Sequence, residues 1–295
     1  MQLALFLCAF YNKLHILMAK SALMKSSLAK KYWMALTGLF LCLFLSGHLA
    51  GNLQLLVPNN ALNFNKYALF MTSNPAVKIL SYLTYISILF HAIDGIMLAF
   101  QNKAARPIGY AKNNAAANSP WASRNMAVLG TIILVFIVTH MVSFWARMHF
   151  DEKMPLQTMI ITAQGQSQEF YLTTDGSYLP KAQIDQKMIV IKDRTDFYDA
   201  GANVKIKEGY KDLYKITIEF FKQPQYGLLY TLLYVLSMIV LSFHLLHGFS
   251  SAFQSMGLNN PKYTPIIKAF GKGFAIVVPL LFAIIPIYIH FFLKA

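Results

Sequence analysis

Five long runs of the chain contain almost no charged residues. A helix of about 20 apolar residues is long enough to cross the hydrocarbon core of a bilayer, and each run supplies that length. Only 13% of the 295 residues are charged and 56% are hydrophobic, whereas soluble domains carry about a quarter charged residues. The pattern therefore excludes an ordinary water-soluble enzyme and predicts a multi-pass membrane protein. The runs are residues 32–65, 79–102 (interrupted only by Asp94), 125–146, 223–261 and 273–293.

The basic residues indicate topology rather than nucleic-acid binding. The formal net charge is +14, but eleven of the twelve acidic residues lie in residues 148–222, where ten basic residues nearly balance them. Most of the remaining lysines and arginines fall on one side of the five predicted spans. The positive-inside rule then predicts a cytoplasmic N-terminus and, after five crossings, a C-terminus outside the cytoplasm. We expect no nucleic-acid partner.

The chain divides into four predicted segments. Residues 1–31 form a cytoplasmic N-terminal segment, residues 32–147 three spanning helices, residues 148–222 an extracytoplasmic insert, and residues 223–295 two more spanning helices. The insert contains short alternating stretches between glycine and proline turns, which favour a small β-rich structure. At its end, residues 211–222 have the pattern of an amphipathic helix lying on the membrane. The predicted spanning helices are residues 32–57, 77–101, 124–147, 225–254 and 266–292.

Four of the eight histidines lie deep in different predicted spans and sort into two pairs by depth. His91 and His244 lie roughly 14 and 15 Å from the inner ends of the second and fourth helices, whereas His48 and His140 lie roughly 26 and 24 Å from the inner ends of the first and third. An ionisable residue inside a span is costly and suggests a functional site. Two histidine pairs stacked about 10 Å apart are the arrangement that bis-histidine coordination of two b-type haems requires.

A shared pattern supports the inner pair. His91 and His244 are each followed four residues later by a glycine, Gly95 and Gly248, and then by Ala-Phe-Gln at the same offset. Residues four apart lie on one face of a helix, so each glycine could leave room for a flat macrocycle. Helix packing by small residues is the alternative explanation. His247 competes with His244 as the ligand of the fourth helix but lacks the glycine spacing, so the ligand is assigned to His244. Asp94 could serve as a proton relay or form an ion pair, and the sequence leaves both roles open. No C-x-x-C-H sequence for covalent haem attachment occurs.

With these residues the chain resembles the cytochrome b membrane anchor of succinate dehydrogenase and fumarate reductase (succinate:quinone oxidoreductase, respiratory complex II), of the five-helix, di-haem type. The resemblance rests on the segment KKYWMALTGLFLCLFLSGHLAGN, the HAIDG segment, Thr139-His140 and HLLHGFSSAFQSMG. It covers all five spans but not the insert. It implies an all-α membrane protein whose five transmembrane helices surround two stacked b haems.

The resemblance also implies cofactors, partners and location. His91 and His244 would ligate the haem nearer the cytoplasm, and His48 and His140 the outer haem. A flavoprotein and an iron–sulfur protein would dock on the cytoplasmic face of a bacterial inner membrane and carry out the succinate or fumarate chemistry. Electrons would pass between these two subunits and a membrane quinone. The quinone is expected to be menaquinone and to react on the outer side.

Further residues follow as expectations around the two haems. Basic groups at the inner ends of the helices would meet the propionates of the inner haem and the partner surface, because charged hydrogen bonds are stronger than neutral ones. These are Lys30, Lys31, Arg106 and Arg124. A quinone site would use polar and aromatic residues at the outer ends of the first and third helices, with Asn63 and Tyr67 in a following loop. The quinone residues are Asn52, Gln54, Trp145, Arg147 and His149.

Two other functions fit parts of this pattern. A di-haem cytochrome b of a formate dehydrogenase, hydrogenase or nitrate reductase would also hold bis-histidine haems, but with a molybdenum- or nickel-containing partner in place of a flavoprotein. A transporter or proton channel would use the membrane histidines as a proton relay and would be colourless.

Overall fold

The computed structural model describes residues 26–105, 107–108 and 114–294. It is mostly helical, and five of its helices are long and apolar enough to cross a membrane. The predictions of five such helices and of a small β insert are confirmed. We call these helices spans 1 to 5, and they comprise Leu28–Leu56, Pro75–Ala104, Met126–Phe150, Gly227–Ser255 and Thr264–Phe292. The predicted segment 1–31 lies mostly outside the described residues.

The spans expose apolar side chains, as a helix facing lipid does. Each span carries at least one large apolar residue that is more than half exposed, and an apolar surface of this extent marks contact with something other than water. We therefore assign the spans to a multi-pass membrane protein. The examples, one from each span, are Leu43, Ile79, Val135, Leu232 and Leu280.

Three of the spans change helix type along their length. In span 1 the α-helix Ser27–Asn52 continues as a 3₁₀ turn, Leu53–Leu56. Span 3 comprises the α-helix Met126–His140, a π-helical segment and a last α-helical turn, Arg147–Phe150. Span 5 comprises the α-helix Thr264–Ile287, with two internal prolines, and a second π-helical segment. Proline is tolerated inside membrane helices because local π adjustments satisfy the freed backbone groups. The π-helical segments are Met141–Ala146 and Tyr288–Phe292.

The segment between spans 1 and 2 is helical, which corrects the prediction of a loop. The linker helix, Ala61–Ser73, carries both Asn63 and Tyr67. Span 2 begins directly after it because Asn74 caps the new helix: its side-chain Oδ1 accepts hydrogen bonds from the backbone N–H groups of Ala76 (2.9 Å) and Val77 (3.3 Å). Such a cap satisfies amides that have no partner within the helix. Two short helices, Ala115–Asn118 and Trp121–Arg124, precede span 3.

The insert contains two three-stranded antiparallel sheets. Strands β1 (Thr158–Ala163), β2 (Gln166–Leu172) and β3 (Tyr178–Pro180) form the first sheet in that order. The turn from β1 to β2 places Gln164 and Gly165 at positive φ, as a tight two-residue hairpin of the primed type requires. After the short helix Lys181–Asp185, three strands form the second sheet. They are β4 (Ile189–Lys192), β5 (Asp196–Asp199) and β6 (Lys205–Glu208).

The insert has its own apolar core and ends in the predicted amphipathic helix. Leu156, Leu179, Ile189 and Phe197 are buried together and join the two sheets. The insert helix, Leu213–Lys222, begins at Asp212, whose side chain accepts a hydrogen bond from the backbone N–H of Lys215. Its apolar side chains Ile216 and Phe221 are buried against protein. This corrects the expectation that the apolar face rests on the membrane.

The chain separates into two compact units, and every span contributes to both. Unit 1 combines the described residues up to Leu45 with Leu83–Thr131 and Leu241–Val277. Unit 2 combines Ser46–Tyr82, Ile132–Val240 and the described residues from Val278. The insert and the linker helix belong to unit 2.

Cations of unit 2 bind backbone carbonyls at the C-terminal ends of two spans. Lys211 Nζ donates to the carbonyl of Met148 (2.7 Å), and Arg194 donates to that of His149. At the end of span 5, Lys222 donates to the carbonyl of Leu293. The last carbonyls of a helix lack partners within it and carry partial negative charge, so these cations stabilise both ends. Burial, assisted by the charge of Arg194, lowers the pKa of Lys211.

A buried polar network connects the linker helix to the insert. Asn65 Nδ2 donates to Asp212 Oδ1 (2.8 Å) and Gln157 Oε1 (3.0 Å), and Asn65 Oδ1 accepts from the backbone N–H of Tyr214 (3.0 Å). Asn65 is 1% exposed. The side-chain nitrogen and oxygen of Asn65 therefore both have hydrogen-bond partners within the protein.

Replacement of Asn65 by alanine is expected to destabilise unit 2. It would leave Gln157 and the amide of Tyr214 unsatisfied in a buried site, at a cost of about 1–3 kcal/mol each. The Asn63→Ala variant is a matched control, since Asn63 is exposed on the same helix. Thermal unfolding of the two detergent-solubilised variants should show a lower midpoint for Asn65→Ala alone. Equal midpoints would contradict the role of this network.

Candidate functional site: two histidine pairs

Unit 1 brings His91 of span 2 and His244 of span 4 together. Their ring centroids are 6.2 Å apart and the ring planes cross at 71°. The two residues are separated by more than 150 positions in the sequence, so the pair is formed by helix packing. The structure thus joins the two residues that the sequence assigns to one depth.

Hydrogen bonding leaves one nitrogen of His91 available. Its Nδ1 lies 3.3 Å from Thr37 Oγ1. That hydroxyl lies within donating distance of the carbonyls of Trp33 (2.9 Å) and Met34 (3.1 Å). A hydroxyl has one proton, so Thr37 accepts from His91 Nδ1 when it donates to either carbonyl. Nε2 of His91 is then the nitrogen left for a metal. Thr37 is a site residue that the sequence did not indicate.

His244 is buried with an unsatisfied nitrogen. Its Nδ1 is inaccessible to solvent and has no hydrogen-bond partner among the residues that the structure describes. Neighbouring His247 is bound differently, with Nε2 lying 3.2 Å from Ser251 Oγ on the next turn. Of the two histidines, His244 is the one whose ring faces His91. The geometry favours His244 over His247 as the partner of His91.

Glycines of spans 1 and 3 lie against these two rings. A Cβ added at Gly38 would lie 3.1 Å from His91 Cε1, and one added at Gly130 would lie 3.7 Å from His244 Cε1. Each histidine of this pair therefore packs on a residue without a side chain. Neither glycine was predicted, although a glycine in the middle of a span is a visible signal.

The two predicted glycines have more space around them. A Cβ at Gly95 would meet no atom within 4 Å, and one at Gly248 would meet only Met126 Cε at 3.8 Å. Gly95 follows His91 by one turn of span 2. Asp94, which lies between His91 and Gly95 in the sequence, is a buried acidic residue of span 2.

Unit 2 brings His48 of span 1 and His140 of span 3 together. Their ring centroids are 5.8 Å apart with the planes nearly perpendicular at 89°. Asn52 Nδ2 donates to the carbonyl of His48 (2.8 Å) and lies 3.5 Å from both ring nitrogens. The Phe282 ring lies 5.7 Å from that of His48. Asn52 is thus hydrogen-bonded to the His48 segment, and its expected role in quinone binding stays a prediction.

Aromatic side chains surround His140. Phe136 stacks on its ring at 5.7 Å, and Phe144 lies 5.3 Å away. Tyr234 of span 4 places its hydroxyl 3.3 Å from His140 Nδ1. The π-helical segment of span 3 begins directly after His140. Because π-helical turns commonly mark functional positions, it is a second independent feature at this residue.

Both pairs have a ring separation close to that of two imidazoles bound to one metal ion. A metal–imidazole bond is about 2 Å long and a ring nitrogen lies about 1.2 Å from the ring centre, so two imidazoles on opposite sides of a metal have centres about 6.4 Å apart. The observed values are 6.2 and 5.8 Å. Within the described residues no group of three or more His, Cys, Asp or Glu side chains is placed to hold a metal ion. A metal held by two imidazoles alone would have to bring its other ligands with it, as haem iron does.

The predicted quinone residues have the following surroundings. The Trp145 ring stacks on His149 at 4.6 Å, and Arg147 forms an ion pair with Asp151 (3.5 Å). Gln54 lies in the 3₁₀ turn, where its carbonyl accepts a hydrogen bond from Asn60 Nδ2 (3.2 Å). Trp145 and His149 therefore form a half-buried aromatic pair at the end of span 3.

The predicted propionate-binding residues are only partly described. Arg124 is exposed and donates to the carbonyls of Ala115 (2.9 Å) and Ser119, which fixes the turn before span 3. Lys31 is exposed near the start of span 1. Arg106 lies outside the described residues. The expected role of these basic groups stays a prediction.

Comparison of the chain with protein-family models, with curated proteins and with solved structures finds no match. The functional argument therefore depends on the two histidine pairs and on their surroundings.

Replacement of Gly38 by alanine is expected to displace His91 and to lower stability. The new methyl group would lie closer to the ring than ordinary packing allows, and overpacking costs about 1–3 kcal/mol. Gly273→Ala is a matched control in a span, because a Cβ there meets nothing within 4 Å. Both changes favour a helix by up to about 1 kcal/mol, which cancels in the comparison. Thermal unfolding in detergent should give a lower midpoint for Gly38→Ala; a midpoint equal to that of the control would contradict close packing on His91.

Proposed function

We propose that this protein is the di-haem cytochrome b membrane anchor of a succinate:quinone oxidoreductase. It would pass electrons through two b haems between a partner iron–sulfur subunit and a membrane quinone. The expected quinone is menaquinone. The observation that carries the proposal is a contact between two imidazole rings, found twice, with ring centres 6.2 and 5.8 Å apart. Four of the five apolar helices supply these histidines, and five such helices fit a membrane anchor.

The chain's own residues would define the two haem sites. His91 and His244 would hold one iron from both sides, and His48 and His140 the other. Held by two histidines, a haem would serve as a one-electron carrier rather than as an oxygen-binding group. Gly38 and Gly130 let the His91 and His244 rings pack directly against spans 1 and 3.

Histidine hydrogen bonds fit ligation through Nε2. Thr37 and Tyr234 each contact Nδ1 of a proposed ligand. A ligating histidine generally donates its other ring N–H to a protein acceptor, which fixes the tautomer and the ring orientation. In each pair one histidine, His91 or His140, thus has its Nδ1 next to a hydroxyl and its Nε2 left for a metal.

The wider assignment follows from the resemblance of the spans. By that resemblance the protein would lie in a bacterial cytoplasmic membrane with its N-terminus inside and its C-terminus outside. A flavoprotein and an iron–sulfur subunit would bind the cytoplasmic face and carry out succinate or fumarate chemistry. The cytochrome b of another quinone-linked dehydrogenase would use the same histidine pairs. Purification of the complex with flavin, molybdenum, nickel and haem quantitation distinguishes the two, and a colourless protein would favour a transporter.

The His244→Ala variant is expected to retain half of the haem of the parent protein. One axial ligand is lost, and the neighbouring His247 is bound to Ser251. His91→Ala should have the same effect, whereas His247→Ala should keep both haems. Pyridine haemochrome assays and redox-difference spectra measure the haem content. Full haem content in His244→Ala together with loss in His247→Ala would reverse the ligand assignment.

Quinone turnover is expected to fall in Trp145→Leu and Gln54→Ala while both haems remain. The reason is that both residues lie near the ends of the spans that carry His48 and His140. Trp121→Leu, in the short helix before span 3, is the control. Quinone reductase assays on the purified complex measure the effect. Normal turnover in both variants, or a quinone bound only beside His91 and His244, would show that the outer placement is wrong.

A further inference from the structure

We infer that Tyr234 is a positioning residue for His140 and that the insert helix holds Tyr234 in place. This inference rests on the proposed function. The insert would thereby determine the ligand field of one haem, a role that the resemblance to five-helix anchors does not supply.

The contact between Tyr234 and His140 is polar, partly buried and surrounded by aromatic rings. The Tyr234 hydroxyl lies 3.3 Å from His140 Nδ1, and its ring lies 6.0 Å from the imidazole. Phe136 packs against both residues, at 5.7 Å from His140 and 5.0 Å from Tyr234. With a metal on Nε2, Nδ1 carries the proton and donates to the hydroxyl oxygen. This bond fixes the rotation of the ring and makes the imidazole a stronger base.

The insert helix packs directly on Tyr234. The Phe221 ring lies 5.0 Å from that of Tyr234 at 90°, and the Phe220 ring lies 5.8 Å from it. Phe220 also stacks on Tyr230, one turn earlier in span 4, at 4.5 Å and 10°. Edge-to-face and stacked aromatic pairs stabilise a fixed geometry by about 0.5–1.5 kcal/mol each. Tyr234 is therefore held by ring contacts on the side of the insert.

Backbone contacts fix the end of the insert helix where Phe221 lies. His290 Nδ1 of span 5 donates to the Phe221 carbonyl (2.6 Å). A Cβ at Gly227, the first residue of span 4, would clash with the same carbonyl. The insert helix can approach span 4 this closely only because Gly227 has no side chain. The position of Phe221 is thus determined by two spans.

The first pair has a hydroxyl in the corresponding place but no insert. Thr37 Oγ1 lies 3.3 Å from His91 Nδ1 and belongs to span 1, in unit 1. Substitutions of Thr37 and Tyr234 therefore act on different histidine pairs. The chain thus offers an internal control.

The test compares Tyr234→Phe, Thr37→Val and Tyr230→Phe in the purified complex. Loss of the hydroxyl makes the His140 imidazole a weaker base and disfavours the oxidised, more positive iron. Potentiometric titration of the haem absorbance should show one wave at higher potential in Tyr234→Phe. Thr37→Val should raise the other wave, and Tyr230→Phe should leave both unchanged. Electron paramagnetic resonance provides a second readout, because the g values of a low-spin haem depend on the angle between its two imidazole planes.

The Phe221→Leu variant tests the contribution of the insert. It should move the same wave as Tyr234→Phe, by less, and should alter the same resonance signal. Selective loss of that haem in either variant, with the other wave retained, supports the same role. Two unchanged waves in Tyr234→Phe, or the same wave moved by Thr37→Val, would overturn the inference and leave the proposed function intact. A parent complex without haem would overturn both.

Discussion

An imidazole ring inside an apolar helix is stable only if its polar atoms find partners. Lipid supplies none, so a histidine in a span must face another part of the protein or a bound group. The four deep histidines face protein in pairs, His91 with His244 and His48 with His140. Hydroxyl groups of Thr37 and Tyr234 lie next to Nδ1 of His91 and His140. Nδ1 of His244 has no partner among the described residues.

The two histidine pairs come from alternate spans. Spans 2 and 4 provide the histidines of unit 1, and spans 1 and 3 provide those of unit 2. In unit 1 the glycines that lie against the two rings, Gly38 and Gly130, belong to spans 1 and 3. A helix that approaches an imidazole closely must present a small residue there, because side-chain volume would force the ring aside.

The spans and the histidine pairs could be predicted because both depend on local properties of the sequence. Apolar length identifies a span, and a constant rise per residue converts sequence distance into depth, which groups His48 with His140. The partners Thr37 and Tyr234 could not be predicted, since they depend on helix rotation and on approach between distant segments. The linker helix was missed because its asparagines resemble a loop. The π-helical segment after His140 has no recognisable sequence signal. The β content of the insert was predicted from alternation, but its two separate sheets were not.

The position of the insert in the chain also bears on the order of assembly. His48 and His140 both precede the insert, whereas His244 follows it and completes the other pair. At a synthesis rate of about 5–20 residues per second, span 4 emerges some 5–20 s after span 3. During that interval a nascent chain carries both ligands of one proposed site and only half of the other. The insert helix and Tyr234 are synthesised after His140 and before His244. Assembly would therefore be sequential, with the His48–His140 site able to capture its cofactor first and the His91–His244 site closing around the second as span 4 enters the membrane.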